Sequence, residues 1–304
     1  MATLLGFIPS PKSGTVSLGP LTIHFYGLTL LVAILLCVWM TTVRWRRQGG
    51  DSELVVRVAV WGVAFGVIGA RAYHDLTSWN EVPSPKWQGV FEVWKGGLGI
   101  WGGILLGTLA GVAVLRRAGV SAAVFMDATA PGLLLAQGIG RVGNWWNQEL
   151  YGKPTTLPWG LKIDTLHQAN LPDKYLGAKA YQPTFLYELL WDLAGVALLL
   201  WLSRRRTIRP PALFALYVAY YCFGRFFEEL IRIDPSHHFL GLRLNAWVSA
   251  VVFALAAGFF VWWQVLGRGG GAGGGDGGTT ARPRPRPQPD PDRPRMAVPR
   301  GRVR

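Results

Sequence analysis

The 304-residue chain is poor in charge, and poorest in acid: Asp and Glu together number 17, and charged residues make up 16% of the sequence against about 25% in an average soluble protein. It has only 2 cysteines, Cys37 and Cys222, each inside an apolar run, which excludes a disulfide framework and a CxxC metal site. Its 5 histidines form no HExxH helix, and the adjacent His237 and His238 lack ligand companions at useful spacing. There is no GxSxG elbow, no Walker loop and no serine within an apolar run facing a histidine, so zinc, serine and nucleotide hydrolysis find no machinery here. No carboxylate cluster invites Mg²⁺, and no cofactor is implied.

What the chain has in quantity is apolar length. Hydrophobic residues are 50% of it and Trp occurs 15 times. The apolar residues fall in blocks of about 20, what an α-helix needs to cross a roughly 30 Å hydrocarbon core. This excludes a disordered chain and a soluble α/β enzyme and predicts an all-α integral membrane protein. Seven transmembrane helices are expected at 21–43, 54–76, 97–115, 121–143, 184–203, 211–231 and 245–267. Arg44, Arg46 and Arg47 follow the first, Arg116 and Arg117 the third, and Arg204, Arg205, Arg206 and Arg209 the fifth. These loops share one face, and the positive-inside rule puts that face in the cytoplasm, with the N-terminus outside and the C-terminus cytoplasmic.

The expected organisation is an extracytoplasmic N-terminal arm over 1–20, a seven-helix membrane domain over 21–267 and a basic cytoplasmic tail over 268–304. The first span has no charged leader or cleavage site and reads as retained. The tail holds nine Arg and three Asp among Gly and Pro-Arg runs, a composition that cannot bury a core and predicts disorder. Contact with anionic membrane lipid suits it better than nucleic acid. Glycines at 99, 103, 107 and 111, with Gly62 and Gly66, mark helix faces where backbones approach closely.

Ionisable groups inside spans cost several kcal/mol and point to function. Span direction gives each a depth. His24 and Tyr26 open span one, Arg71 ends span two, Arg141 and Asn144 end span four with Glu149 just beyond, Glu188 opens span five, and Arg225, Glu229 and Arg232 end span six. All fall toward the outer side. Arg57 reads as a snorkelling surface residue, and Asp127 and Asp192 receive no role. A one-sided cluster suits a site for outer-leaflet lipid better than a transporter, whose site belongs near the midplane. Arg141 lies among Gly138, Gly140 and Gly143, and an uncrowded guanidinium fork suits a phosphodiester.

Several stretches, in order, resemble the bacterial prolipoprotein diacylglyceryl transferases: Ile23-His24-Phe25-Tyr26-Gly27-Leu28, Gly69-Ala70-Arg71, Gly140-Arg141-Val142-Gly143-Asn144 through Glu149-Leu150-Tyr151-Gly152, Gln182-Pro183 through Tyr187-Glu188, and Gly224-Arg225 through Glu229, Arg232 and Asp234-Pro235. The resemblance spans about residues 20–245. It implies transfer of the diacylglyceryl group of phosphatidylglycerol to the lipobox cysteine of a prolipoprotein signal peptide, forming a thioether and releasing glycerol 1-phosphate, in the bacterial cell (inner) membrane. It further implies Arg141, Arg225, Glu229 and Tyr26 as catalytic residues, with Arg71, Asn144, Glu149, Gly152, Arg232 and His24 joining Arg141 in substrate binding. Two family histidines are absent: Trp101 and Gln182 stand in their places. The general base then falls to His24, Glu149 or Glu229, or to none. A membrane transporter of an anionic or lipid-like substrate is the competing function, and a structural membrane component the third.

Overall fold

The computed structural model describes residues 7–19, 21–169 and 171–267. Residues 1–6, Pro20, Asn170 and the basic tail over 268–304 lie outside the described residues. Eight helices are present among the described residues: α1 (Phe25–Arg47), α2 (Ser52–Thr77), the single turn α3 (Lys86–Gly89), α4 (Ile100–Arg117), α5 (Ala122–Trp146), α6 (Thr184–Arg205), α7 (Ala212–Ile231) and α8 (Leu244–Phe260), which continues as a π-turn over Val261–Val265. Two antiparallel hairpins join them, β1 (Thr15–Leu18) with β2 (Leu21–His24) and β3 (His238–Phe239) with β4 (Leu242–Arg243). Helix dominance follows the sequence expectation, and the hairpins are additions to it.

Among the described residues six helices, α1, α2, α4, α5, α6 and α8, are long and apolar enough to cross a membrane. The seventh expected span, α7, falls outside that set because Arg225, Glu228 and Glu229 crowd its last turns. Apolar side chains such as Leu31, Trp39, Leu105 and Leu255 are exposed, as lipid-facing flanks require.

Helix α5 is the hub. In its most apolar window 44% of residues are buried, against 11% in α1, and it packs on α1, α6 and α7, while α2 pairs with α4 and α7 with α8. Pro131 lies inside α5 and removes the hydrogen bond that would reach the carbonyl of Asp127. Arg44 of α1 supplies donors instead, from Nη2 to Asp127 O at 3.2 Å and from Nε to Ala128 O at 3.0 Å. Asp127 in turn accepts the Phe214 backbone N–H at 2.8 Å and so caps the start of α7. Helix α4 stops in a Schellman turn, with Gly119 at φ +67° and Val120 N–H bonded to Leu115 O.

At the opposite end, residues 147–169 and 171–183 fold into a cap around Tyr151, Leu161, Ile163, Tyr181 and Ile233. Ile8 pairs with Leu161, and Leu161 with Tyr181, so the described part of the N-terminal segment is stitched into this cap. Burial pushes the Tyr151 and Tyr181 phenols up from their ordinary range, and each donates to a carbonyl, His167 O and Tyr175 O, at 2.7 Å.

Candidate active site

Three helices bring their charged residues together at the cap end. Arg141 stands three residues after Gly138 on α5, Glu188 lies in the first turns of α6, and Arg225, Glu228 and Glu229 lie in the last turns of α7. Arg141 Nη2 meets Glu188 Oε1 at 2.7 Å and donates to Tyr221 Oη at 3.3 Å. Arg225 Nη1 bridges Glu188 Oε2 at 3.1 Å and Glu228 Oε2 at 2.6 Å, and its Nη2 donates to Glu229 Oε1.

Glu229, 1% exposed, is the anchor of a second layer. Arg232 Nη1 reaches its Oε1 at 3.3 Å and Arg243 Nε its Oε2 at 2.6 Å. Asp234 then joins Arg232 and Arg243, each at 2.8 Å. Four guanidiniums thus face four carboxylates in one connected network. Arg243 reaches it because the β3–β4 hairpin, turning through Leu240 at φ +47° and Gly241 at φ +79°, folds the chain back over α7. Buried charges persist only when paired and hydrogen-bonded in this way.

Beside the network, Asn144 donates from Nδ2 to Glu149 Oε1 at 2.8 Å, and Asn147 reaches the same oxygen at 3.4 Å. The chain makes this contact by leaving α5 through Gln148 at φ +50° and Leu150 at φ +58°, a left-handed turn that non-glycine residues rarely take. Gln148 is locked by mutual bonds with Asp164, 2.7 Å and 2.8 Å long. The Tyr26 ring lies against Gly143, where an added Cβ would fall 2.6 Å from its Cδ2. Gly152 pairs with Arg232 and leaves no room for a side chain, with Gln182 Cβ at 3.0 Å and Ile231 O at 3.1 Å from a Cβ placed there.

Two expected residues stand elsewhere. Arg71 is buried in the α2–α4 connection, where it pairs with Asp75 at 3.1 Å and donates to the carbonyls of Gly89, Val90, Gly96 and Gly97. Its donors are spent on holding that loop. His24 is exposed at the end of β2, opposite Thr15. Arg57 pairs on the surface with Glu53 at 3.9 Å. Glu228, Arg243 and Tyr221 belong to the network without having been given a role from sequence, as does Asp234, which stands in one of the matching stretches. Two arginines, Arg232 and Arg243, on the side with few basic residues were the available signal. Among the described residues no trio of His, Cys, Asp or Glu is grouped as metal ligands would be.

The network therefore offers a largely buried platform of four guanidiniums and four carboxyl groups, with Arg141 at its partly exposed rim. All of Arg141's bonds use Nη2, and its side chain is 20% exposed. Nε and Nη1 remain for an incoming oxyanion.

The family model of prolipoprotein diacylglyceryl transferase matches residues 13–262. The phosphatidylglycerol-prolipoprotein diacylglyceryl transferase of Bifidobacterium adolescentis is 46% identical over 275 residues, covering 87% of this chain and 82% of that protein. The protein of the same name from Streptomyces griseus is 45% identical over 259 residues, covering 84% and 78%. That from Cutibacterium acnes is 48% identical over 248 residues, covering 81% and 83%.

Proposed function

Since this chain belongs to the prolipoprotein diacylglyceryl transferase family, we infer that it moves the diacylglyceryl group of phosphatidylglycerol onto the thiol of a lipobox cysteine in a prolipoprotein. A sulfur–carbon bond forms at the sn-3 carbon, the carbon–oxygen bond to phosphate breaks, and glycerol 1-phosphate leaves. The thiol proton passes to the leaving phosphate or to water.

The observation that carries this function is Arg141 at the rim of a buried ion network, partly exposed and with Nε and Nη1 unbonded among the described residues. Arg141 holds the phosphodiester, and Arg225 beside it stabilises charge as the phosphate leaves, a task in which fixed cations in a dry site act strongly. Asn144, oriented by Glu149, donates to a headgroup oxygen, and Tyr26 lines the approach. Glu229 and Arg232 set the position of Arg225. Arg71 and Gly152 serve the site through the loop and junction they shape. Glu229 makes a poor base because three guanidiniums already claim its two oxygens. A thiol whose ordinary pKa is near 8.5 needs only modest help to ionise, and the arginine field supplies it without a resident base.

The site belongs to a seven-span multi-pass protein of the bacterial membrane. Helix α7 has 20 residues, about 30 Å at 1.5 Å per residue, and its charged end enters the ion network. The basic loops at the far end orient that face to the cytoplasm and the site toward the outer leaflet.

The test is purified protein in detergent with phosphatidylglycerol and a lipobox peptide, the peptide being read by mass. Wild type adds one diacylglyceryl unit to cysteine. Arg141→Ala and Arg225→Ala lose at least about a hundredfold in rate, whereas His24→Gln keeps measurable activity. Full transfer by a folded Arg141→Ala protein would remove the phosphate role. No product from folded wild type, with counterflow of an anionic substrate in proteoliposomes, would shift the function to transport.

A further inference from the structure

One buried acid has no partner. Asp192 on α6 is 0% exposed, and neither carboxyl oxygen has a hydrogen-bond partner among the described residues. It lies four residues after Glu188, on the same helix face. Across the interface its Cβ is 3.0 Å from a Cβ built on Gly138 of α5, which itself stands one turn before Arg141. The Asp192–Gly138 contact is thus the rung beneath the Glu188–Arg141 pair, and the charges acting on Asp192 are those of Glu188, Arg141, Glu228 and Arg225. An idle polar group in such surroundings costs stability, and an apolar residue would be the stabler choice.

The network above it gives that group a use. The arriving phosphodiester brings a further anion beside carboxyl groups that already claim the guanidiniums. A guanidinium grips two oxygens only along an edge that includes the terminal nitrogen Nη2, and Nη2 of Arg141 already serves Glu188 and Tyr221. Taking the phosphodiester therefore draws Arg141 off Glu188, whose Oε1 has no hydrogen-bond donor besides that ion pair. We propose that Asp192, un-ionised, is a positioning residue that donates its O–H to Glu188 when Arg141 turns to the substrate phosphate. This rests on the transferase function proposed above. It predicts that Asp192 matters for phosphatidylglycerol and not for the peptide.

The experiment compares wild type, Asp192→Asn and Asp192→Ala by thermal stability, by Kd for short-chain phosphatidylglycerol from titration calorimetry, and by KM for lipid and peptide in the transfer assay. Asn keeps a donor at nearly the same volume, so it retains wild-type Kd within about threefold. Ala weakens Kd and raises the lipid KM by about tenfold, the effect of losing one hydrogen bond to a charged group, with melting temperature held or raised and peptide KM unchanged. Wild-type lipid affinity in a folded Ala variant overturns the proposal, as does an Asn variant that binds as poorly as Ala. Should Ala not fold, the Asn variant decides alone: retained Kd supports the donor role and a lost one overturns it. Wild type that binds lipid without forming product would count against the transferase function, while the Kd series would still judge Asp192.

Discussion

At Asp234, outside the membrane-spanning helices, two guanidiniums converge on one carboxylate. Burial pushes this carboxyl up, but the hydrogen bond and charge of Arg232 and the charge of Arg243 outweigh it and leave it below its ordinary value. A depressed folded pKa contributes stability above the unfolded value, about 3.9 for Asp, and loses it as pH falls through the lower folded value. Asp234→Asn is therefore expected to cost about 2 kcal/mol at pH 7 and to flatten the acid limb of melting temperature as pH falls below about 3.9. Parallel curves for the two proteins would show that Asp234 is not a stabilising anchor. Single residues also show what sequence could reveal about the site. Arg141, Arg225, Glu229 and Arg232 were legible because a charged group in an apolar span is conspicuous. Glu228 was hidden by its neighbour Glu229, since nothing in the spelling says which of two adjacent glutamates faces Arg225. Arg243 joins through two-residue strands too short to leave a pattern. Arg71 lies in the last turns of α2, yet its acceptors are loop carbonyls, which any residue can offer.

Among the helices the tightest contact is α2 against α4, and glycine makes it possible. A Cβ on Gly69 would fall 2.3 Å from Gly102 O, and one on Gly102 would fall 2.1 Å from Gly69 O. Neither atom is a flexible side-chain end, so both backbones would have to separate. Gly111 is different: its added Cβ would meet Val58 Cγ1 at 3.5 Å, an ordinary contact. Gly102→Ala is accordingly expected to destabilise by about 3 kcal/mol, while Gly111→Ala stays near wild type, both read by thermal denaturation in detergent. Equal melting temperatures would mean that the pair is less constrained than its geometry indicates. The four-residue glycine spacing did mark the right helix face, but Gly102 and Gly69 sit off that spacing, and only the crossing of the two backbones singles them out. Span boundaries were legible to within a few residues, and the departures have causes. Residues 21–24 are apolar enough to read as helix but pair with 15–18 as a strand. Before α4, Gly96 and Gly97 take φ +88° and +73°, delaying the start to Ile100. Helix α5 runs on to Trp146, which places Asn144 on the same helix as Arg141.

For the whole molecule the two ends differ in kind. One gathers Arg116, Arg117, Arg204, Arg205 and Arg206, exposed at the ends of α4 and α6, and the other carries the folded cap and the arginines neutralised by carboxylates. Free positive charge resists export across the membrane, whereas paired charge does not count as such, so the asymmetry predicts sidedness. It also bears on the proposed chemistry, because an exported lipobox thiol can reach the ion network only if that network faces the outer side. Both native thiols, Cys37 and Cys222, are at least half shielded by their helices. In a protein with those two replaced by serine, a single cysteine at Lys174, exposed in the cap, is expected to react with a membrane-impermeant maleimide in intact spheroplasts. One at Ala118, exposed in the α4–α5 turn, is expected to react only after lysis. The converse pattern would invert the molecule and put the Arg141 site on the cytoplasmic side. Labelling of both in intact spheroplasts would mean that α5, the one long helix between these two positions, fails to span.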